Sequence, residues 1–320
     1  MSRILITGLT GFVGSHLAEY LLSLPEGHQI YGTMRWRSRT ENVDHLRARL
    51  TLLECDVRDG TSVREAVATA RPDYLFHLAA QSHIPTSWHA PTDTVLTNLL
   101  GQLNVLESLR EQNLTGCVVL VPGSSEEYGV VPKEALPIQE TCEPHPVSPY
   151  AVSKVAQDML AYQYAQSYGL RIIRTRAFNH IGPRRAIDYA EASFAAQLAG
   201  MEKRGASPVM KVGNLAAIRD YCDVRDVVEA YWLALQKGAP GEVYNICSGQ
   251  GRPVQEILDL LISMSTVKPK LEVDPERLRP HDAPALVGDC RRFHELTGWA
   301  PKRALAQTLR DILEHWRQRV

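Results

Sequence analysis

Cysteine is scarce and scattered. The six residues Cys55, Cys117, Cys142, Cys222, Cys247 and Cys290 include no CxxC pair. That spacing excludes a zinc ribbon and argues against a disulfide framework, so free thiols in a reducing cytoplasm are expected. No His/Cys/Asp spacing suggests a metal site either. No apolar run approaches the roughly 20 residues needed to span a bilayer. The start, Met1-Ser2-Arg3-Ile4-Leu5-Ile6-Thr7-Gly8, lacks the three-part layout of a secretion signal. An excess of charge is also missing: 35 Lys and Arg face 36 Asp and Glu, a formal charge of −1. Such balance offers no general attraction to nucleic acid or to an anionic membrane. Aromatic residues are only 7% and form no platform for nucleic-acid bases. An anionic ligand would therefore need a local cluster of arginine or lysine.

What is present is alternation. Residues 3–7, 29–34, 52–55, 74–78, 117–122 and 171–176 read as short buried strands. Residues 12–24, 62–70 and 92–112, and a segment beginning near Pro149, read as helices. Strand–helix alternation implies an α/β fold with a doubly wound parallel sheet of the Rossmann type. After about Ala177 the pattern loosens. An Arg-rich turn, Gly182-Pro183-Arg184-Arg185, precedes helices near 192–205, 226–236, 254–264 and 305–316, with an irregular strand and turn at 211–219. The expected division is 1–176, a dinucleotide-binding domain that carries the catalytic residues, and 177–320, a smaller substrate-binding region interleaved with the sheet. The cleft between them is the expected substrate site.

Gly8-Leu9-Thr10-Gly11-Phe12-Val13-Gly14 joins the first strand to the first helix. Glycines at this spacing allow a tight turn, close approach of backbone to a pyrophosphate and close helix–sheet contact, with the helix N-terminus facing the phosphates. At the end of the second strand an NAD enzyme usually places an acid for the ribose 2′-OH. This chain has Met34-Arg35-Trp36-Arg37-Ser38-Arg39 instead. Arginine there grips a 2′-phosphate through charge-assisted bonds, so NADP(H) is expected, with Arg35 first and Arg37 or Arg39 helping. Asp56 is a candidate for the adenine amino group. His77-Leu78-Ala79-Ala80 puts small residues where backbone passes a ligand, and Asn98 is a candidate bridge between backbone groups near the active site.

Tyr150 and Lys154 share one helix face. A phenol is a poor base at neutral pH. A neighbouring ammonium favours its anion, and Tyr150 can then take a proton from a sugar hydroxyl while hydride leaves its carbon for the nicotinamide. Ser-Pro-Tyr-Ala-Val-Ser-Lys, following a strand that ends in Gly-Ser-Ser, is more specific than the Tyr-x-x-x-Lys spacing alone. Ser124 ends that strand, where it can align the reacting oxygen. Glu126, two residues on, has the chemistry of a base for a carbon next to a carbonyl; Glu127 adjoins it and must point elsewhere.

Taken together, Gly8 to Gly14, His77 to Ala80, Ser124 to Gly129, Tyr150/Lys154 and Phe178-Asn179-His180 resemble the extended short-chain dehydrogenase/reductase family over nearly the whole chain. Within it, residues 35–46, 79–83 and 178–185 resemble GDP-mannose 4,6-dehydratases. Residues 124–129, 213–215, 219–220, 223–226 and 278–280 also resemble GDP-4-keto-6-deoxy-D-mannose reductases, and the short C-terminal region fits these better. The resemblance implies cofactor contacts from Gly8, Thr10, Gly11, Phe12, Val13, Arg35, Arg37, Asp56, Val57, Leu78, Ala79, Ala80, Asn98, Tyr150, Lys154 and Phe178. It implies substrate contacts from Ser82, His83, Ser124, Ser125, Glu126, Asn179, Arg185, Lys211, Arg219 and Arg279, with His83 and His180 packing rather than acting as bases. It also implies a cytoplasmic homodimer paired through helices 92–112 and 150–167. The leading expectation is a GDP-mannose 4,6-dehydratase. Tyr150 deprotonates the C4 hydroxyl as hydride leaves, Glu126 removes the C5 proton, water leaves C6 and the hydride returns there. The alternatives are an NADPH-dependent 4-keto reductase and a 4-epimerase. A non-catalytic dinucleotide-sensing module stands apart from these; such proteins lose the Tyr or the Lys, and this chain keeps both.

Overall fold

The apolar runs of the first half are too short to hide themselves and are covered from both sides by amphipathic helices. In the computed structural model, which describes residues 1–205 and 209–320, they form strands β1 (Arg3–Thr7), β2 (Gln29–Met34), β3 (Leu50–Glu54), β4 (Tyr74–His77), β5 (Val118–Ser124) and β6 (Arg171–Ala177). The intervening helices are α1 (Phe12–Ser23), α2 (Gly60–Ala70), α3 (Ile84–His89), α4 (Pro91–Val95), α5 (Gly101–Glu111) and α6 (Pro149–Tyr168). Between α4 and α5 the helix continues but widens into a π turn over Leu96–Leu100.

Beyond β6 come β7 (Asn179–Ile181), α7 (Ala190–Arg204), β8 (Val209–Val212), β9 (Ile218–Asp223), α8 (Val224–Lys237), β10 (Val243–Ile246), β11 (Gly251–Pro253), α9 (Val254–Ser263), β12 (Lys270–Val273), β13 (Ala285–Leu286), α10 (Arg291–Thr297) and α11 (Leu305–Arg317). β10 returns to the large sheet, whose order is β10-β6-β5-β4-β1-β2-β3, parallel throughout. Its order reverses between β1 and β4, the place where doubly wound sheets bind ligands.

One face of this sheet packs Leu17, Leu21, Phe76, Val227, Tyr231 and Phe293, so α1, α8 and α10 lie together there. The other face packs Val63, Val67, Val105, Leu109, Ala161 and Tyr164 from α2, α5 and α6. A separate core of Phe194, Leu198, Met210, Ile257, Leu261, Leu309 and Ile312 holds α7, α9 and α11 as a smaller lobe. In this lobe β9 pairs with β7, β11 and β13, and β8 pairs with β12. No helix among the described residues is long and apolar enough to cross a membrane.

Candidate active site

The carboxyl ends of β1, β2, β4, β5 and β6 open into a cleft of about 1170 Å³ whose far wall is the smaller lobe. Gly8, Thr10, Gly11, Phe12, Val13, Arg35, Asp56, Val57, Leu78, Ala79, Ala80 and Phe178 all line it. Gly8 has a φ of 68°, and its carbonyl accepts from the Gly11 N–H at 3.0 Å, which closes the turn into α1. A side chain at Gly14 would come within 2.7 Å of the Gly8 carbonyl and Leu9. No side chain caps α1, which leaves its leading N–H groups available to a phosphate. This cradle fits a dinucleotide pyrophosphate.

Arg35 stands on the cleft wall, its N–H donating to Ser38 Oγ at 3.0 Å. Arg37 lies beyond it on a shallower groove shared with Arg35, Trp36 and Asp56. Arg39 is in solvent near Glu41. Asp56 is gripped by Arg58 at 2.7 Å, and hydrogen bonding from that guanidinium holds its carboxyl below the usual range. Asn98 is buried behind the wall. Its amide accepts from the Gln81 N–H at 2.8 Å and donates to the Gln81 carbonyl at 3.0 Å and to Ser153 Oγ at 2.8 Å, which anchors the segment after β4 to α6.

On the catalytic wall, Ser148 caps α6 by accepting from the Ala151 N–H at 3.1 Å, and Pro149 opens the helix. That start puts Tyr150 and Lys154 one turn apart, both nearly buried yet reaching the cleft. Lys154 donates to the Pro122 carbonyl at 2.7 Å, and burial draws its ammonium down to about 8. Burial pushes the Tyr150 phenol well above its ordinary range, and hydrogen bonding with Ser124 pulls the other way. The unliganded phenol is therefore neutral. The two acids separate: Glu126 faces the cleft, 3.3 Å from Arg279, while Glu127 turns into the interior.

Ser82, His83, Ser125, Asn179, Arg185, Arg219 and Arg279 line the substrate end. Lys211 does not. Strand alternation points Met210 and Val212 into the core of the smaller lobe, so Lys211 points to solvent, 58% exposed. Arg219 is buried against Asp282 and the Ile218 and Ala283 carbonyls, and Arg279 also approaches Asp282 at 3.6 Å. Arg185 is held 2.9 Å from Glu191 and 3.8 Å over the Tyr189 ring, with Phe12 on its other flank. Burial lowers His83 and takes His180 to about 4, so both imidazoles are neutral near pH 7. Sequence reasoning missed Tyr189, whose hydroxyl lies 2.8 Å from Ser82, and the buried Glu191. The signal for Tyr189 was an aromatic four residues after Arg185.

The family model described as GDP-mannose 4,6 dehydratase matches residues 5–312. GDP-6-deoxy-D-mannose reductase of Pseudomonas aeruginosa is 37% identical over 99% of this chain and 98% of its own. GDP-mannose 4,6 dehydratase 2 of Arabidopsis thaliana is 34% identical over 93% of this chain and 82% of its own. Among solved structures, RMD from Pseudomonas aeruginosa complexed with NADPH superposes with a TM-score of 0.87 at 35% identity, covering 100% of both chains. The UDP-glucose 4-epimerase of Thermus thermophilus complexed with NAD gives 0.88 at 30% identity, covering 99% of this chain and 100% of that one. A glycine cradle, a Ser-Tyr-Lys cluster at one cleft wall and a match running almost end to end lead to one conclusion: the chain belongs to the GDP-mannose 4,6 dehydratase family.

Proposed function

We propose that the protein reduces the 4-keto group of a GDP-linked 6-deoxyhexose with NADPH. The observation that carries this reading is the state of the cleft acid: Glu126 is engaged by Arg279 rather than standing free to take a proton from carbon. Likeness supports it, at 37% identity to the reductase relative and 34% to the plant dehydratase.

The glycine turn at the start of α1 and Arg35 would hold NADPH, which when bound would supply the hydride for the C4 carbonyl carbon. Tyr150 passes its phenolic proton to the carbonyl oxygen, and the Ser124 hydroxyl donates a hydrogen bond to the same oxygen. Lys154 steadies the phenolate that remains, which water reprotonates. Ketone, hydride and proton give the alcohol. Arg35 holds the 2′-phosphate that separates NADPH from NADH. Arg185 and Arg219 converge on the cleft and meet the substrate's diphosphate, each steadied by an acid until then, while Arg279 stays with Glu126.

A second reading is favoured by Glu126 itself. It sits two residues from Ser124 beside Tyr150, where a 4,6-dehydratase acting on GDP-mannose needs its C5 base. One experiment separates the two. Purified protein is given the GDP-linked 4-keto-6-deoxyhexose with NADPH, and separately GDP-mannose with NADP⁺ alone. Oxidation of NADPH in the first and no keto sugar in the second is the expected result; the reverse pattern makes the chain a dehydratase.

The exposed apolar side chains Val95, Leu96, Val152, Met159 and Tyr162, on the helix pair α4–α6, suit a homodimer contact. The six unpaired cysteines suit a cytoplasmic setting.

A further inference from the structure

Beneath the catalytic wall lies a charged cluster of which the proposed reaction uses only Lys154. Glu127, Asp158, Arg174, Arg176 and Lys154 are all nearly or fully buried, as are Tyr128 and Asn245. Arg176 donates to Glu127 at 3.1 Å and to Asp158 at 2.7 Å, and Arg174 donates to Asp158 at 2.9 Å. The Tyr128 hydroxyl accepts from Arg176 at 3.2 Å and donates to Asn245 at 2.7 Å. Arg176 also reaches the Glu140 carbonyl, while the Glu140 carboxylate accepts from the Asn245 N–H at 2.8 Å.

Stability alone is a poor account of Glu127. Buried ion networks often contribute no more than apolar residues of the same volume. Asp158 already pairs with both arginines, so Glu127 is an additional acid. Its position is informative. One carboxylate oxygen accepts from the Ser124 N–H at 2.7 Å, and the other faces Arg176. Any side chain at Gly123 would collide with that carboxylate. The acid is thus packed under the strand end that aims Ser124 into the cleft.

Lys154 is the other half of the argument. Among the described residues no carboxylate lies within ion-pair distance of it, and its acceptor is the neutral Pro122 carbonyl. The titratable groups that act on it are Glu127, from the turn after β5, and His77 of β4, which burial keeps neutral; Tyr150 stands one turn away on α6. Glu127 is the group that opposes the burial cost of the Lys154 charge; burial and Asp158 raise its own carboxyl to about 7, and Arg176, the Ser124 N–H and Lys154 favour the ionised form. Without it, the buried set would hold one acid, Asp158, against three cations, two of which Asp158 already pairs.

We infer that Glu127 is a positioning residue: it fixes the Ser124 end of β5 through the backbone and supplies the negative field that keeps Lys154 charged, touching neither substrate nor cofactor. The inference rests on the reading that Tyr150 and Lys154 carry the hydride chemistry. It extends that reading from the cleft wall to the interior behind it.

The test follows the lysine rather than turnover. Protein labelled with carbon-13 at lysine Cε is titrated by NMR, and the Lys154 resonance is identified by its loss in Lys154→Arg. In Glu127→Gln, which keeps an acceptor for the Ser124 N–H, the Lys154 titration is expected to move down by about one pH unit or more. The alkaline limb of kcat/KM is expected to move with it. A titration unchanged from wild type overturns the inference. Should Glu127→Gln fail to fold, Glu127→Asp keeps the charge. There Lys154 is expected to titrate at its wild-type position even if kcat falls, and a full downward move in that variant overturns the inference equally. A wild-type enzyme that titrates as expected but does not oxidise NADPH with the keto sugar sinks the proposed function and leaves the Glu127 inference standing.

Discussion

Arg35→Ala is expected to separate the two nicotinamide cofactors. The residue follows β2 directly, lines the cleft and has no acid partner among the described residues. A guanidinium contributes about 1.5–3 kcal/mol through a charged hydrogen bond, and the exposure of this side chain favours the lower half of that range. Two parallel bonds from one solvent-screened guanidinium are not additive and together give about 2–3 kcal/mol. At 1.4 kcal/mol per factor of ten, NADPH affinity should fall roughly 30- to 150-fold. NADH has no 2′-phosphate, so its affinity should stay within about twofold on the same reasoning. Arg35→Glu adds repulsion toward the phosphate and an acceptor for the ribose hydroxyl, so it should invert the preference. Equilibrium titration of both cofactors by nucleotide fluorescence provides the assay, run at about 0.15 M salt and again at high salt, where screening should narrow the gap. A third variant, Arg58→Ala, frees the negative charge of Asp56 close to the same pocket and should weaken NADPH more than NADH. If the NADPH-to-NADH ratio moves less than about threefold in Arg35→Ala, less than 1 kcal/mol separates the cofactors there. The assignment of the 2′-phosphate to Arg35 is then wrong.

Other outcomes follow from the same geometry. Asp158→Asn leaves two buried guanidinium groups short of their shared anion. It should cost about 3–5 kcal/mol in urea unfolding, and a loss under 1 kcal/mol would show the network to be slack. Burial lowers His16 to about 4 and His77 to about 3, so both are neutral in the fold and take up protons on unfolding below their ordinary value of 6.5. Stability they support is complete above about pH 6.5 and drains away as pH falls toward 4, by about 1.4 kcal/mol per pH unit for each group. Thermal unfolding across that window should show the slope, and replacing His77 with Gln should flatten it. Gly14→Ala forces backbone apart at the turn into α1. Cofactor binding should drop sharply, as read by isothermal calorimetry, and retention of full affinity would deny the close packing described.

The large sheet was legible because buried parallel strands write themselves as unbroken apolar runs. β2 has the expected bounds, and the glycine turn falls where its spacing required. β10, β11 and β13 were not legible. Each is only two to four residues long and gains its identity from a partner distant in sequence, β6 for the first and β9 for the others. The cleft residues on β1, β4, β5 and α6 were readable because backbone chemistry dictates their types. The anion-binding side was harder, since an arginine in sequence does not say which acid holds it. Lys211 shows the same weakness, as a single step of strand register decides between cleft and solvent. The interior network did leave a trace: Arg174 and Arg176 sit two apart on a central strand, hence on one face, and two buried guanidinium groups require acids nearby.

The π turn over Leu96–Leu100 carries a consequence for how this chain tolerates change in length. A regular helix advances about 100° per residue, so removing one residue there would let α4 and α5 wind as an ordinary cylinder. Everything downstream would then rotate against the sheet, carrying Val105 and Leu109 off the face they cover. Asn98 would swing away from Gln81 and Ser153 in the same motion. The wide turn thus acts as a phase shifter between the cleft lip and the core, and a deletion elsewhere on the protein's loops should be far easier to survive than one at this spot.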